Sequence, residues 1–165
     1  MRVAALTSGR NDPSARFRVR QFVEPLRMQG IEVREHCPAI DKHAGVPTKI
    51  VDILPQPFKR MAEPGWRLAK LLTRLPGVAG SWNSDVAWLN RELVFGKYTL
   101  ERAVHRPYVF DVDDAIWQAR PDGKKAVAGI AGRASVVFAG NQHIASHFAS
   151  LCERVELIPT AIDTL

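Results

Sequence analysis

A chain of 165 residues that is 46% hydrophobic is long enough to bury roughly 70% of its unfolded surface around one core. Its formal charge of +6 and pI near 9.7 favour an anionic partner, whether nucleic acid, phospholipid or phosphorylated metabolite, without choosing among them. Cys37 and Cys152 fit no CxxC or Cys/His zinc spacing and are too few for a disulfide scaffold, so two buried thiols in a reducing compartment are expected.

The N-terminal RVAALTSGRND turns polar after a handful of apolar residues, too soon for a secretory h-region or a membrane span, and cytoplasmic residence is expected. Val3–Thr7 reads as a buried first strand opening into the turn-rich SGRNDPS. A helix follows over Arg16–Gln29, where Val19, Phe22, Val23 and Leu26 recur at helical spacing and Gly30 supplies a C-terminal stop. Pro25, inside that pattern, should produce a kink or an irregular turn. Ile31–Glu35 alternates apolar and charged residues, as a partly exposed strand does. The stretch from Lys42 to Gly80, broken by five prolines, is the least sheet-like. Further strands are expected at Val86–Leu89, Tyr108–Val112, Ser135–Ala139 and Glu156–Ile158, with helical segments between most of them. The alternation implies βαβ units: a Rossmann-like α/β/α sandwich with a mostly parallel sheet, in one domain over residues 1–165.

Such a sheet binds ligands beyond the carboxyl ends of its strands. That rule places Asp113 and Asp114, in YVFDVDDAIW, at a crevice rim shared with Ser8–Arg18, with Asn90, Arg91 and Glu92, and with Gly140–His143. Dinucleotide binding is weakly supported, because TSGRNDPSAR holds one glycine where GxGxxG is needed, and no GKS or GKT marks a P-loop. Asp111 and Asp113 form a DxD, and two carboxylates on one strand face repel unless a metal or an arginine compensates. Arginines or loop amides are the favoured compensation, and no bound metal or other cofactor is expected. His143 and His147, at i and i+4, lack a third zinc ligand nearby and read as a solvated face, while Asn141 stands where a helix N-cap would and could also touch a ligand. Arg16, Arg18 and Arg20 fall at a helix start suited to phosphate contact, or form a solvated basic face.

Between Gln56 and Gly80, Leu68, Leu71, Leu72 and Leu75 form one stripe and Arg67, Lys70 and Arg74 another. The leucines are expected to pack on the core. The basic stripe, flanked by Phe58, Met61 and Trp66, would alternatively dock on an anionic membrane surface as a peripheral contact.

SARFRVRQFVEPLRMQGIEV, NREL at 90–93, YVFDVDDAIW, AGNQHIA at 139–145 and VELIPTAID, in this order and spacing, together resemble the N-terminal half of family 4 (group 1) glycosyltransferases. The resemblance implies the GT-B architecture of two Rossmann-like domains facing a cleft, with the acceptor on the N-terminal domain and a nucleotide-sugar donor mainly on the other. It also implies transfer with retention of configuration and without a metal. Asp113 and Asp114 would then be the catalytic-loop residues, ordering the loop or holding sugar hydroxyls. Ser14, Arg16 and Arg18 would lie under the donor phosphates or a sugar or lipid-linked acceptor, Arg91 and Glu92 would line the opposite wall, and no nucleic acid is implied. The family's donor domain, with its basic residues for the leaving diphosphate, would follow IPTAID, where this chain stops. It therefore reads as a shortened chain or half of a split protein, inactive alone. A phosphotransfer receiver domain would want its acidic pair after the first strand and a lysine later, and a non-catalytic basic module docking on anionic lipid stays open.

Overall fold

The computed structural model describes residues 1–53, 55–95 and 100–161; the last residues of VELIPTAID, from 162 on, lie outside it. The six expected strands are all present, as β1 (Arg2–Leu6), β2 (Glu32–His36), β3 (Val86–Asn90), β4 (Tyr108–Val112), β5 (Val136–Ala139) and β6 (Val155–Leu157). They form one sheet in the order β2-β1-β3-β4-β5-β6, and every neighbouring pair is parallel. The inner strands carry apolar residues on both faces, as a sheet covered on both sides requires. In β1, Ala4, Ala5 and Leu6 are buried; in β4, Tyr108, Phe110 and Val112 are. Edge strand β2 is half-exposed, which is why its sequence alternates.

The first helical stretch runs through α1 (Pro13–Ala15), a π-helical turn at Arg16–Arg20 and α2 (Gln21–Met28). The irregularity expected at Pro25 falls one turn earlier. A proline ring crowds the carbonyl four residues before it, here Gln21, and the wide turn ends against that residue. Gly30 closes the stretch at φ 77°, with Ile31 N donating back to the Leu26 carbonyl at 2.9 Å.

The proline-rich span folds as α3 (Thr48–Ile53), α4 (Gln56–Lys59), α5 (Ala62–Leu72) and α6 (Leu75–Ser81). Two more helices, α7 (Gly123–Ala131) and α8 (Gln142–Phe148), bring in Val127, Ile130, Ile144 and Phe148, which join the sheet residues in one cluster. Cys152 is buried and Cys37 half-buried, both as free thiols. His147 departs from the solvated face expected of it: its ring stacks on Trp117 at 3.7 Å and 4°.

The orientation of α5 is the main departure from expectation. Its basic side faces inward: Trp66 Nε1 donates to the Ala44 carbonyl at 3.0 Å, Lys70 Nζ to the Lys42 carbonyl at 2.7 Å, and Arg74, buried just past its end, to the Ser8 carbonyl at 3.3 Å. Leu68, Leu72 and Leu75 are left in solvent, and only Leu71 of the four packs against the core. Long cationic side chains bury their stems and satisfy backbone carbonyls with their heads, so Lys70 and Arg74 do not form the membrane-facing stripe foreseen for them with Arg67, itself half-buried. Among the described residues no helix is long and apolar enough to cross a membrane.

Candidate functional site

From β1 the chain steps to β2 on one side and then crosses to β3 on the other, so the strand order reverses between β1 and β3. Loops diverge at such a point and leave a crevice. One of about 740 Å³ lies there, walled by Asp12, Ser14 and Phe17 after β1, Asp41 and His43 after β2, Arg91 after β3, and Asp113 and Asp114 after β4.

Its floor is held by hydrogen bonds. Asn90 Nδ2 donates to Ser14 Oγ at 3.1 Å, Ser14 helps keep the Asp113 carboxylate charged, and Arg91 Nε donates to Asp113 Oδ1 at 2.6 Å. The other arm of Arg91 pairs with Asp114. Arg91 has φ 64°, in the left-handed region that side chains seldom adopt. Such a conformation costs about 1–3 kcal/mol and persists only where its surroundings over-determine it. Here they do, through the two carboxylates and the bond from Arg91 N to the Asp111 carbonyl at 2.9 Å.

Burial alone would push the Asp113 carboxyl up, but Arg91 and Ser14 outweigh it and hold the group below the ordinary carboxylate range. Asp113 is thus ionised at neutral pH and a weak proton acceptor. Burial of the Arg91 guanidinium is likewise outweighed by Asp113 and Asp114, which raise its pKa. Gly140, after β5, closes the back: a Cβ there would lie 2.9 Å from Asp113 Cα.

Four of the expected site residues, Ser14, Arg91, Asp113 and Asp114, come together here; Arg16, Arg18, Glu92 and Asn141 are placed elsewhere. Arg18 is 3% exposed and turned into the protein, with Nη2 2.6 Å from Asp111 Oδ1 and Nη1 donating to the Ile158 carbonyl at 2.8 Å. Trp88 Nε1 completes the Asp111 partners at 3.2 Å. The DxD carboxylates therefore each hold a separate arginine, which resolves their repulsion without a metal. No cluster of three metal-ligating side chains occurs among the described residues. Glu92 is buried beneath the wall, 3.5 Å from Arg120 Nη1. Asn141 accepts from Ile144 N at 3.0 Å and caps α8. Arg16 is exposed beside Phe17, and Arg20 is taken up by Glu35 at 2.8 Å, so the three arginines form no common anion site.

Sequence reasoning missed the contribution of the loop after β2. Asp41 and His43 line the crevice, and Lys42 between them is 2% exposed with its ammonium 5.3 Å from the Phe95 ring centroid. Burial holds both the Lys42 ammonium and the His43 imidazole below their usual pKa. The DKH triplet carried no periodicity that could have flagged it.

The sheet, its order and the crevice at its reversal define a Rossmann-like α/β unit with a polar crevice at the switch point. No protein-family model and no curated protein matches the chain. Among solved structures, it is similar to the crystal structure of Anabaena Alr3699/HepE in complex with UDP and glucose, at 17% sequence identity and a TM-score of 0.50, over 99% of this chain and 45% of that one. The likeness is one of fold, and this chain spans less than half the length of that protein.

Proposed function

We propose that the chain is the N-terminal, acceptor-side unit of a retaining GT-B glycosyltransferase of the family 4 type, working with a nucleotide-sugar donor held mainly by a second unit. The observation that carries this reading is the Asp113–Arg91–Asp114 cluster, with the bonded Asn90–Ser14 pair beside it, at the floor of the switch-point crevice. Rigid carboxylates and a hydroxyl suit a ligand rich in hydroxyl groups, and the Phe17 ring offers an apolar wall for the face of a sugar. The fold it shares with a protein solved with UDP and glucose adds support.

In the reaction, the bond from the sugar's anomeric carbon to the diphosphate oxygen breaks, one to an acceptor hydroxyl forms on the same face, and that hydroxyl's proton passes to the departing diphosphate oxygen. Asp113, held ionised, and Asp114 position acceptor hydroxyls; the weak basicity of Asp113 argues against its taking the proton. Arg91 orients both. The nucleoside diphosphate that leaves needs cationic or amide donors. With Arg18 and Arg20 committed to Asp111 and Glu35, those donors are assigned to the second unit, and the 165 residues alone should not turn over. Cytoplasmic residence accompanies this reading.

Saturation-transfer NMR with glucose and with UDP-glucose tests it. Sugar resonances should receive saturation from the chain, and Asp113→Asn should lose it without losing the fold. An equal signal from the variant, or none from the parent, would overturn the assignment of the crevice. Transfer by the isolated chain would overturn the division of labour.

A further inference from the structure

Met61 at the N-cap of α5, and Gly65, Leu68 and Leu72 along it, recur at spacings of four, three and four residues and occupy one helix face, about 17 Å long at 1.5 Å per residue, with Leu75 opening α6 just beyond it. That face is turned to solvent: Met61 is 64% exposed, Leu68 57%, Leu72 54% and Leu75 45%, with Phe58 at 54% just before it. An amphipathic helix ordinarily buries its apolar stripe and wets its basic one. Here the opposite arrangement is fixed from beneath, since Trp66 and Lys70 are bonded to the carbonyls of Ala44 and Lys42 and Arg74 to that of Ser8. The leucines cannot turn inward without breaking all three bonds. Continuous exposed apolar surface of this kind marks an interaction site.

We propose that the outward face of α5 docks on an anionic lipid bilayer. Charge selects this occupant. Lys49 and Arg60 are exposed and Lys59 half-exposed around the stripe, Asp52 and Glu63 are the only acids from residue 48 to 75, and the chain as a whole carries +6. A helix lying in the interface sinks its apolar face about 5–10 Å into the headgroup region, a depth that Phe58, Met61 and the leucines reach together. The contact differs from one through Arg67, Lys70 and Arg74, because it uses the face those residues do not. It stands independently of the transferase reading. Because α5 grips the loop carrying Asp41 and His43, docking would set the crevice wall about one helix diameter from the membrane.

Co-sedimentation with vesicles of phosphatidylcholine alone, and of phosphatidylcholine mixed with phosphatidylglycerol, tests the proposal. The chain should pellet with the mixed vesicles, and less so as salt rises. Leu68→Gln with Leu72→Gln should weaken partitioning about tenfold or more. Lys59→Glu with Arg60→Glu should remove the preference for anionic lipid, at about fivefold per cation. All four residues lie at the surface, so circular dichroism and thermal midpoints should match the parent. A parent chain that stays in the supernatant, or a double-glutamine variant that pellets equally, overturns the proposal. So does sedimentation velocity, in the absence of vesicles, that finds a dimer which the double-glutamine variant dissolves, because a second copy would then be the occupant.

Discussion

Arg18 and Asp111 illustrate how a buried charge pair is held. With exposures of 3% and 1%, both groups have lost their water, and each survives because the other is bonded to it. Asp111→Asn should therefore cost about 3–5 kcal/mol in urea denaturation, since it strands a guanidinium inside the protein. Replacing both partners with apolar residues of similar volume should cost less than that single change. Titration adds a second residue-scale expectation. Burial lowers the pKa of His36, and of the stacked His147, below the ordinary histidine value. A depressed histidine contributes stability that is present above its unfolded pKa of about 6.5 and is lost as pH falls through the folded value. The carboxyls of Glu35 and Asp113, where arginine contacts outweigh burial, lose their contribution only below about pH 4. Urea midpoints should thus decline in two stages on acidification, and His36→Gln should make the first stage shallower.

At the scale of elements, the β5–α8 connection and the β4 loop meet at Gly140. Gly140→Ala would drive a methyl group against Asp113 Cα, a backbone atom with little room to yield. A loss of about 1–3 kcal/mol in chemical denaturation is expected, together with weaker sugar binding as Asp113 moves off Arg91. All six strands were legible in the sequence, because the interior strands of a parallel sheet are short apolar runs and the edge strand β2 alternates. The two stripes of α5 were legible as well, but not which of them faces inward. A 3.6-residue period separates faces without orienting them, and the carbonyls of Ser8, Lys42 and Ala44 that decide the matter lie far away in the chain. The same limit explains Arg18. Its run of alternating arginines suggested a phosphate site, whereas its carboxylate partner sits 93 residues on. Asp113, Asp114, Arg91 and Ser14 were recoverable because the switch-point rule uses only strand order and loop position.

For the whole molecule, the sheet sets a gradient of protection. The central strands β1, β3 and β4 are bonded on both sides and buried, while β2 and β6 are edges. Native-state hydrogen exchange should be slowest in β3 and β4 and fastest in β6, where only three residues pair with a single neighbour. The all-parallel pairing has a kinetic corollary. Among the described residues no two neighbouring strands are joined by a hairpin, so none can zip up locally; β1 waits for β3 across about eighty residues, and each pairing closes a long loop before it is rewarded. Refolding after dilution from urea should accordingly be slow for a chain of this size, with the bare flank of β2 available meanwhile to other unfolded chains.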